Sequence, residues 1–493
     1  MIKRFKKYIS RINLANSILA VILVCSLIQS GFLQGGGFYK EDHKEATQLN
    51  SKRFYARGTS KPEIALLPHP VSPFPPQLKK VAIEVYFDLI PTMMRFSLPC
   101  FPCVVTENNI HFSNGWTETY DPKASGSCEP LWDKEARYVR MWIASQNPAR
   151  IVVRVRYALC DQEGRIAHLD FPSGSPYGPG DWTDEWYYIY PDGIYTRHVR
   201  IYSGLAEQSL TMTDETFKGI QPVREIPPNV VHEFQEDFIF GLDGHIPEND
   251  IDQAPITLIM MDGRNKTISY KPYPKDFGEF SKANIKLINL KSEYKPFTIF
   301  IPYGVENVPY PPEGELPHVF QTWPRHPKNG YSVSLGHTLN WWHYRRTEKL
   351  LEQVYLSGMI RAEEPMEKLI FLAHSWLRPP RLIANGIHPE YKRKIFDPVQ
   401  RAYILSCGEN GPKEFEIKLA EAAKGDRKVY VFNPVFLIKN WGSGDVEIFY
   451  NNNKLFRGSD YRIGYEKNRG TSNLVVWINR RSEKAVYIKI TPI

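Results

Sequence analysis

The sequence predicts a mainly β chain: a large antiparallel β-sandwich carrying one helical hairpin, followed by a C-terminal β-sandwich region. Three observations carry that expectation. Short β-branched or aromatic runs with period-two alternation recur along the chain, separated by turn residues. The 39 prolines break up any long helical pattern. Helical spacing of apolar residues appears in a single island, over residues 338–378. A hydrophobic share of 42% across 493 residues is ample for a substantial core.

The N-terminus has the pattern of an export signal. Lys3, Arg4, Lys6, Lys7 and Arg11 precede an apolar run from Ile18 to Ile28. That run is shorter than the roughly 20 residues a bilayer span needs. Residues 1–30 therefore form a signal peptide or membrane anchor, and membrane contact is expected only through this segment. The formal charge of +8 draws five charges from these first basic residues. What remains is too diffuse for a nucleic-acid surface, so no nucleic-acid partner is expected.

Residues 31–80 are polar and proline-rich, ending in Pro73, Pro75 and Pro76, and are expected to be a linker or arm. The large sandwich is expected over 81–385. Its most legible stretch begins at Ile151 to Tyr157, where valines and arginines alternate. A turn at Asp161 to Gly164 leads to an expected returning strand, Arg165 to Asp170, and then to a Gly/Pro loop from Ser173 to Gly180. Trp182 to Tyr190 and Ile194 to Tyr202 form the next pair of runs, joined by the turn Pro191, Asp192, Gly193. One face of these strands is expected to carry Val, Ile and Tyr. The other is expected to carry Arg154, Arg156, Arg197 and Arg200, with Asp181, Asp184 and Glu185 nearby. Such a face suits a long polar ligand, and it is also the pattern of a plain salt-bridged surface.

The helical island places Leu339, Trp342, Leu350, Leu351 and Val354 near one face, then Leu369, Ile370, Ala373 and Trp376 after Pro365. It predicts a hairpin of two helices covering a sheet edge. Strand-like runs return from Arg401 to Ile490, giving the C-terminal region 386–493. Cys100 and Cys103 have the spacing of a redox motif without its strand-then-helix context, and no second cysteine pair supports zinc. With export, a structural disulfide involving this region is the expected use.

No nucleophile elbow, phosphate-binding loop, dinucleotide fingerprint or zinc-protease helix is present. No cofactor is expected, although Asp243, Glu248, Asp250 and Asp252 alternate in a loop that could hold Ca²⁺ through oxygen. Histidines and tyrosines concentrate in three places, Tyr187 to His198, His232-Glu233 and His318 to Tyr344, with aromatic residues beside them. A base or acid near an arginine can move a proton beside a carboxylate, and sugar rings stack on aromatic faces.

The segment Gly180-Asp-Trp-Thr-Asp-Glu-Trp-Tyr-Tyr-Ile-Tyr-Pro-Asp-Gly193 resembles one in exported β-rich bacterial proteins of the ulvan-lyase-like polysaccharide lyase type. Glu248-Asn-Asp250, Leu287-Ile-Asn-Leu-Lys-Ser292, Ala373-His-Ser-Trp-Leu-Arg-Pro-Pro380 and Phe436-Leu-Ile-Lys-Asn-Trp-Gly442 are similar to its later segments. The resemblance implies a β-supersandwich and β-elimination on a uronic-acid polysaccharide. Where it leads one to expect Asn-His-Trp-Pro, this chain has Gln321-Thr322-Trp323-Pro324, so a base is missing there and His326 lies close by. The candidate catalytic set is Tyr188, Arg197, His198 and His326. Trp182, Trp186, Tyr190, Trp323 and Arg325 are the candidate substrate-binding residues. The alternative is a non-catalytic glycan-binding or surface β protein on the same scaffold. Export is directly testable: fractionation of expressing cells should find the protein outside the cytoplasm, and full-length chain confined to the cytoplasm would overturn the expectation.

Overall fold

A run that alternates apolar and polar residues must cover its apolar face, and two such sheets do so by packing on each other. The computed structural model describes residues 54–59, 82–97, 101–125, 127–133, 136–171, 174–205, 232–240, 245–269, 274, 276–301, 305–308, 318–319, 332–340, 345–347, 349–384, 395–408, 411–421, 428–468 and 470–493. The expected signal segment and most of the arm lie outside these residues, as do Asp243, Trp323, Arg325 and His326. Among the described residues no helix is long and apolar enough to cross a membrane.

The first strands are β1 (Tyr55–Thr59), β2 (Ala82–Tyr86), β3 (Met93–Ser97), β4 (Phe101–Val105), β5 (His111–Glu118), β6 (Arg140–Asn147), β7 (Arg150–Ala158), β8 (Trp182–Ile189), β9 (Tyr195–Tyr202) and β10 (His232–Phe240). They are followed by β11 (Ile251–Ile259), β12 (Asn265–Ile268), β13 (Ile285–Leu290), β14 (Tyr294–Ile299), β15 (Val305–Val308), β16 (His318–Val319), β17 (Ser332–Asn340), β18 (Arg345–Thr347) and β19 (Leu350–Arg361). One antiparallel sheet runs in the order β1-β2-β3-β4-β5-β10-β17-β15, with β16 on β17. The second runs β12-β11-β13-β14-β19-β9-β8-β7-β6, with β18 on β19. The fold is thus mainly β and antiparallel, as the alternation predicts.

The two sheets share one core. Val85, Phe96, Phe112 and Ile239 of the first meet Ile151, Val153, Tyr187 and Leu258 of the second. Phe96 and Tyr187 touch edge to face across the gap, with ring centroids 4.8 Å apart. Helix α1 (Pro247–Asp250) is a single turn before β11, and α2 (Met366–Leu377) follows β19. Leu369, Leu372, Ala373 and Trp376 of α2 are buried with Ile285, Ile299 and Leu356 of the second sheet.

The C-terminal region is a smaller sandwich with its own core of Phe415, Ile417, Phe436, Ile438, Trp441 and Ile448. One of its sheets begins with Arg381–Ala384 paired to Phe415–Ala420, so its chain starts a few residues earlier than 386. It docks on the second large sheet through polar contacts that the intervening chain could not predict. Arg150 is 1% exposed, and its Nη2 lies 2.6 Å from Glu466 Oε2 while its Nη1 donates to Gln400 at 2.9 Å. Asn433 donates to Asp192 at 2.7 Å, and Arg462 reaches the first large sheet, pairing with Asp88 just after β2 at 2.9 Å.

Four expectations are corrected. The predicted first helix of the hairpin is strand: β17, β18 and β19 occupy this stretch, and only α2 is helical. β19 is central in its sheet and buried nearly throughout, with Glu352, Gln353 and Ser357 buried among its apolar residues, so no period-two signature shows. The arm contains β1, which pairs with β2. The expected strand Arg165 to Asp170 is mostly turn, held by a single bridge between Cys160 and Ile166. Cys103, Cys128, Cys160 and Cys407 have free buried thiols, so no disulfide ties Cys103. Burial pushes the Cys103 and Cys128 thiols up to about 12, which keeps them neutral and unreactive.

The docking pair gives a stability test. Glu466→Ala leaves the buried Arg150 guanidinium unpaired, a loss of about 3–5 kcal/mol. Urea unfolding should show a midpoint lowered accordingly, and an unchanged midpoint would mean that Arg150 finds another partner.

Candidate functional site

The β8–β9 hairpin closes at Tyr190 to Ile194, where the Tyr190 amide donates to the Ile194 carbonyl at 3.0 Å and Gly193 takes φ +75°. This turn sets a register that decides which candidate residues can meet. Tyr188 stands opposite Thr196, Tyr187 opposite Arg197, and Trp186 opposite His198. Since side chains alternate between faces, Tyr188 and Arg197 point to opposite sides of the sheet. The expected convergence of these two does not occur, and the expected row of four arginines loses Arg197.

Arg197 instead lies between the two large sheets. Its Nη2 and Nε bond Glu185 at 2.7 and 2.9 Å, and both residues are buried. Tyr157 and Tyr187 each donate a hydroxyl to the Glu185 carboxylate at 2.5 Å. Gly115, with φ +80°, admits the guanidinium, because a Cβ there would overlap Arg197 Nη1. Lys286 and Asp237, 2.5 Å apart, form a second buried pair between the sheets. These groups satisfy one another and hold the sandwich together.

The other face of β7, β8 and β9 turns away from the first sheet. Arg154 Nε bonds Asp184 at 2.6 Å, and its guanidinium lies 4.1 Å from the centre of the Trp186 ring and 4.9 Å from that of Trp142. Arg156 lies 3.5 Å over Tyr177 and 5.4 Å from Trp142. Tyr177 reaches the sheet from the Gly/Pro loop, whose Gly180 (φ +78°) passes too close to the Ala167 carbonyl for any Cβ. Its hydroxyl donates to Asp184 at 2.6 Å. The result is a ladder of rings and guanidinium groups, Trp186, Arg154, Trp142, Arg156 and Tyr177, whose members are all half-buried.

The remaining candidates divide between this surface and the scaffold. His198 is on the ladder's side, its Nε2 3.5 Å from Glu352, which also holds Arg200 at 3.1 Å. Tyr188 is half-buried beneath the C-terminal sandwich, with Arg150 5.3 Å over its ring. Burial raises its hydroxyl above the ordinary range and outweighs the nearby Arg150 charge, which disfavours Tyr188 as a base. Trp182 is buried and donates to the Pro179 carbonyl at 2.9 Å. Tyr190 is buried against the C-terminal sandwich and donates to the Gln400 carbonyl. Both are structural. Sequence reasoning missed Trp142 and Arg140, although the alternation from Tyr138 to Ile143 was visible and places them with Arg154 and Arg156.

No cofactor is expected at the acidic loop, and its Asp243 lies outside the described residues. Asp250 lies 3.1 Å from His245 and Asp252 3.3 Å from Lys295, so two of its carboxylates face cationic or donor partners. Among the described residues no group of three His, Cys, Asp or Glu is placed to hold a metal ion.

No protein-family profile matches the chain, and no curated protein is significantly similar to it. Among solved structures, galactose 1-epimerase from Lactobacillus acidophilus NCFM aligns with 8% identity and a TM-score of 0.30. The alignment covers 62% of this chain and 99% of that one. Similarity at this level carries no argument about function.

The inter-sheet pair predicts a pH dependence. Burial alone would raise the Glu185 pKa, but Arg197 and the two tyrosine hydroxyls outweigh it and leave it lowered. A depressed carboxylate contributes stability above its unfolded value, about 4.3, and that contribution is lost as pH falls through the folded pKa. Thermal midpoints should therefore drop on the acid side in the native chain. Glu185→Gln should start lower at neutral pH and decline less steeply, and parallel acid limbs would refute the role given to this pair.

Proposed function

We propose that this is an exported polysaccharide-binding protein whose recognition surface is the ladder face of β6, β7 and β8. The single observation behind this reading is the state of the tryptophans. Trp142 and Trp186 are partly exposed on the same face, each directly across from Arg154, whereas Trp182 is buried. Rings fixed on a sheet by a flanking guanidinium offer apolar surface at little entropic cost, and sugar C–H faces stack on such surface. The adjacent donors can meet hydroxyl groups.

Binding is favoured over β-elimination because Arg197, the group meant to neutralise the uronate, is buried and committed to Glu185. Tyr188 lies on the opposite face of the sheet and is poorly suited as a base. An elimination site would need both groups beside one sugar ring.

Affinity electrophoresis against a polysaccharide panel tests the reading. Trp142→Ala and Trp186→Ala should each weaken binding by about tenfold or more, the usual effect of removing an aromatic anchor, with little change in thermal midpoint. Unchanged retention in both variants would remove this surface from consideration. Ultraviolet absorbance of an unsaturated uronate, appearing on incubation with a uronic-acid polysaccharide, would instead reinstate elimination.

A further inference from the structure

Arg140 and Arg156 stand directly opposite each other across β6 and β7. Like charges at opposed positions of an antiparallel pair repel and weaken it. Asp184 stands opposite Arg156 on β8 and offsets part of this repulsion. Asp184 is fully buried and committed to Arg154 and to the Tyr177 hydroxyl. Arg140 is exposed, and its Nη1 donates to its neighbour's carbonyl, Val139, at 2.8 Å. Arg156 Nε is buried and, among the described residues, has no hydrogen-bond partner. Its guanidinium is nonetheless tightly placed by Tyr177 and Trp142.

A planar guanidinium held by aromatic rings keeps its fork of donors in a fixed orientation, which matches a carboxylate or sulfate held by two parallel hydrogen bonds. An exposed second arginine across the strand adds charge and reach. Both arginines adjoin Trp142, so an anionic group held by them would sit on a sugar stacked at that ring.

We propose that Arg140 and Arg156 form the anion subsite of the ladder face, taking a carboxylate or sulfate ester of an acidic polysaccharide. This rests on the reading of that face as a glycan-binding surface. The bound group neutralises the opposed arginines. Arg154 lacks this capacity because Asp184 already occupies it.

The test compares the full chain with Arg140→Gln and Arg156→Gln by calorimetry against polygalacturonate, dextran sulfate and neutral dextran. The first two probes separate carboxylate from sulfate. The native chain should bind at least one acidic polymer more tightly than neutral dextran, with affinity falling as salt rises. Arg156→Gln should weaken acidic binding by about tenfold or more, as loss of a charge-assisted bidentate contact does, and Arg140→Gln should weaken it less. Arg140 is exposed, so its variant reports on binding even where Arg156→Gln affects folding. Equal binding of neutral and acidic polymers, or acidic binding unchanged in both variants, would overturn the anion subsite while leaving the glycan surface intact. No binding to any polymer, together with Trp142→Ala and Trp186→Ala indistinguishable from the native chain across the wider panel, would overturn both.

Discussion

The buried pair of Glu185 and Arg197 is the constraint around which the large sandwich is arranged. A carboxylate and a guanidinium between two sheets lose their hydration and must be satisfied internally. Here Arg197 supplies two bonds to the carboxylate, and Tyr157 and Tyr187 supply two more. The partner sheet makes room with Gly115, where a left-handed backbone and the missing Cβ leave space for the guanidinium. A register slip of one residue in β8 or β9 would exchange faces and strand both charges, so the pair specifies the hairpin register as well as the packing.

That register determines the chemistry available outside. With Glu185, Tyr187 and Arg197 inward, Asp184, Trp186 and His198 must face the other way. The ladder of arginines and rings is therefore the complement of the inter-sheet pair. Asp184 neutralises Arg154 and anchors Tyr177, which fixes the rings in place. The C-terminal sandwich covers one end of the same face through Arg150, Tyr188 and Tyr190, leaving the part around Trp142 and Trp186 partly exposed.

Much of the central sheet was legible because its strands alternate. The boundaries of β7, β8 and β9 and the turn at Gly193 follow from β-branched periodicity and turn chemistry. The opposite orientation of Arg197 and His198 was equally legible, since consecutive strand residues must face apart. Strand β19 was not legible, because a strand buried on both faces shows no period-two alternation, and its Leu350, Leu351 and Val354 also fit a helical stripe. The hairpin pairs Tyr188 with Thr196, a neighbour of Arg197, and that one residue puts Tyr188 and Arg197 on opposite faces. Turn residues announce a hairpin but do not state its register to the nearest residue. Tyr190 was likewise an aromatic beside a turn, and nothing local revealed that a segment about two hundred positions later would bury it.

The sequence by itself determined the β class, the principal strand runs and the concentration of arginine and aromatic residues in β6 to β9. These are local properties, governed by side-chain period and turn preference. The tertiary structure alone decided which charges are spent and which remain open. Arg150, Arg154 and Arg197 bond carboxylates on a distant segment or a neighbouring strand, whereas Arg156 is stacked against rings and, among the described residues, its Nε has no hydrogen-bond partner. Whether an arginine is scaffold or binding group depends on the partner that long-range packing brings to it, and pair energies act through space rather than along the chain.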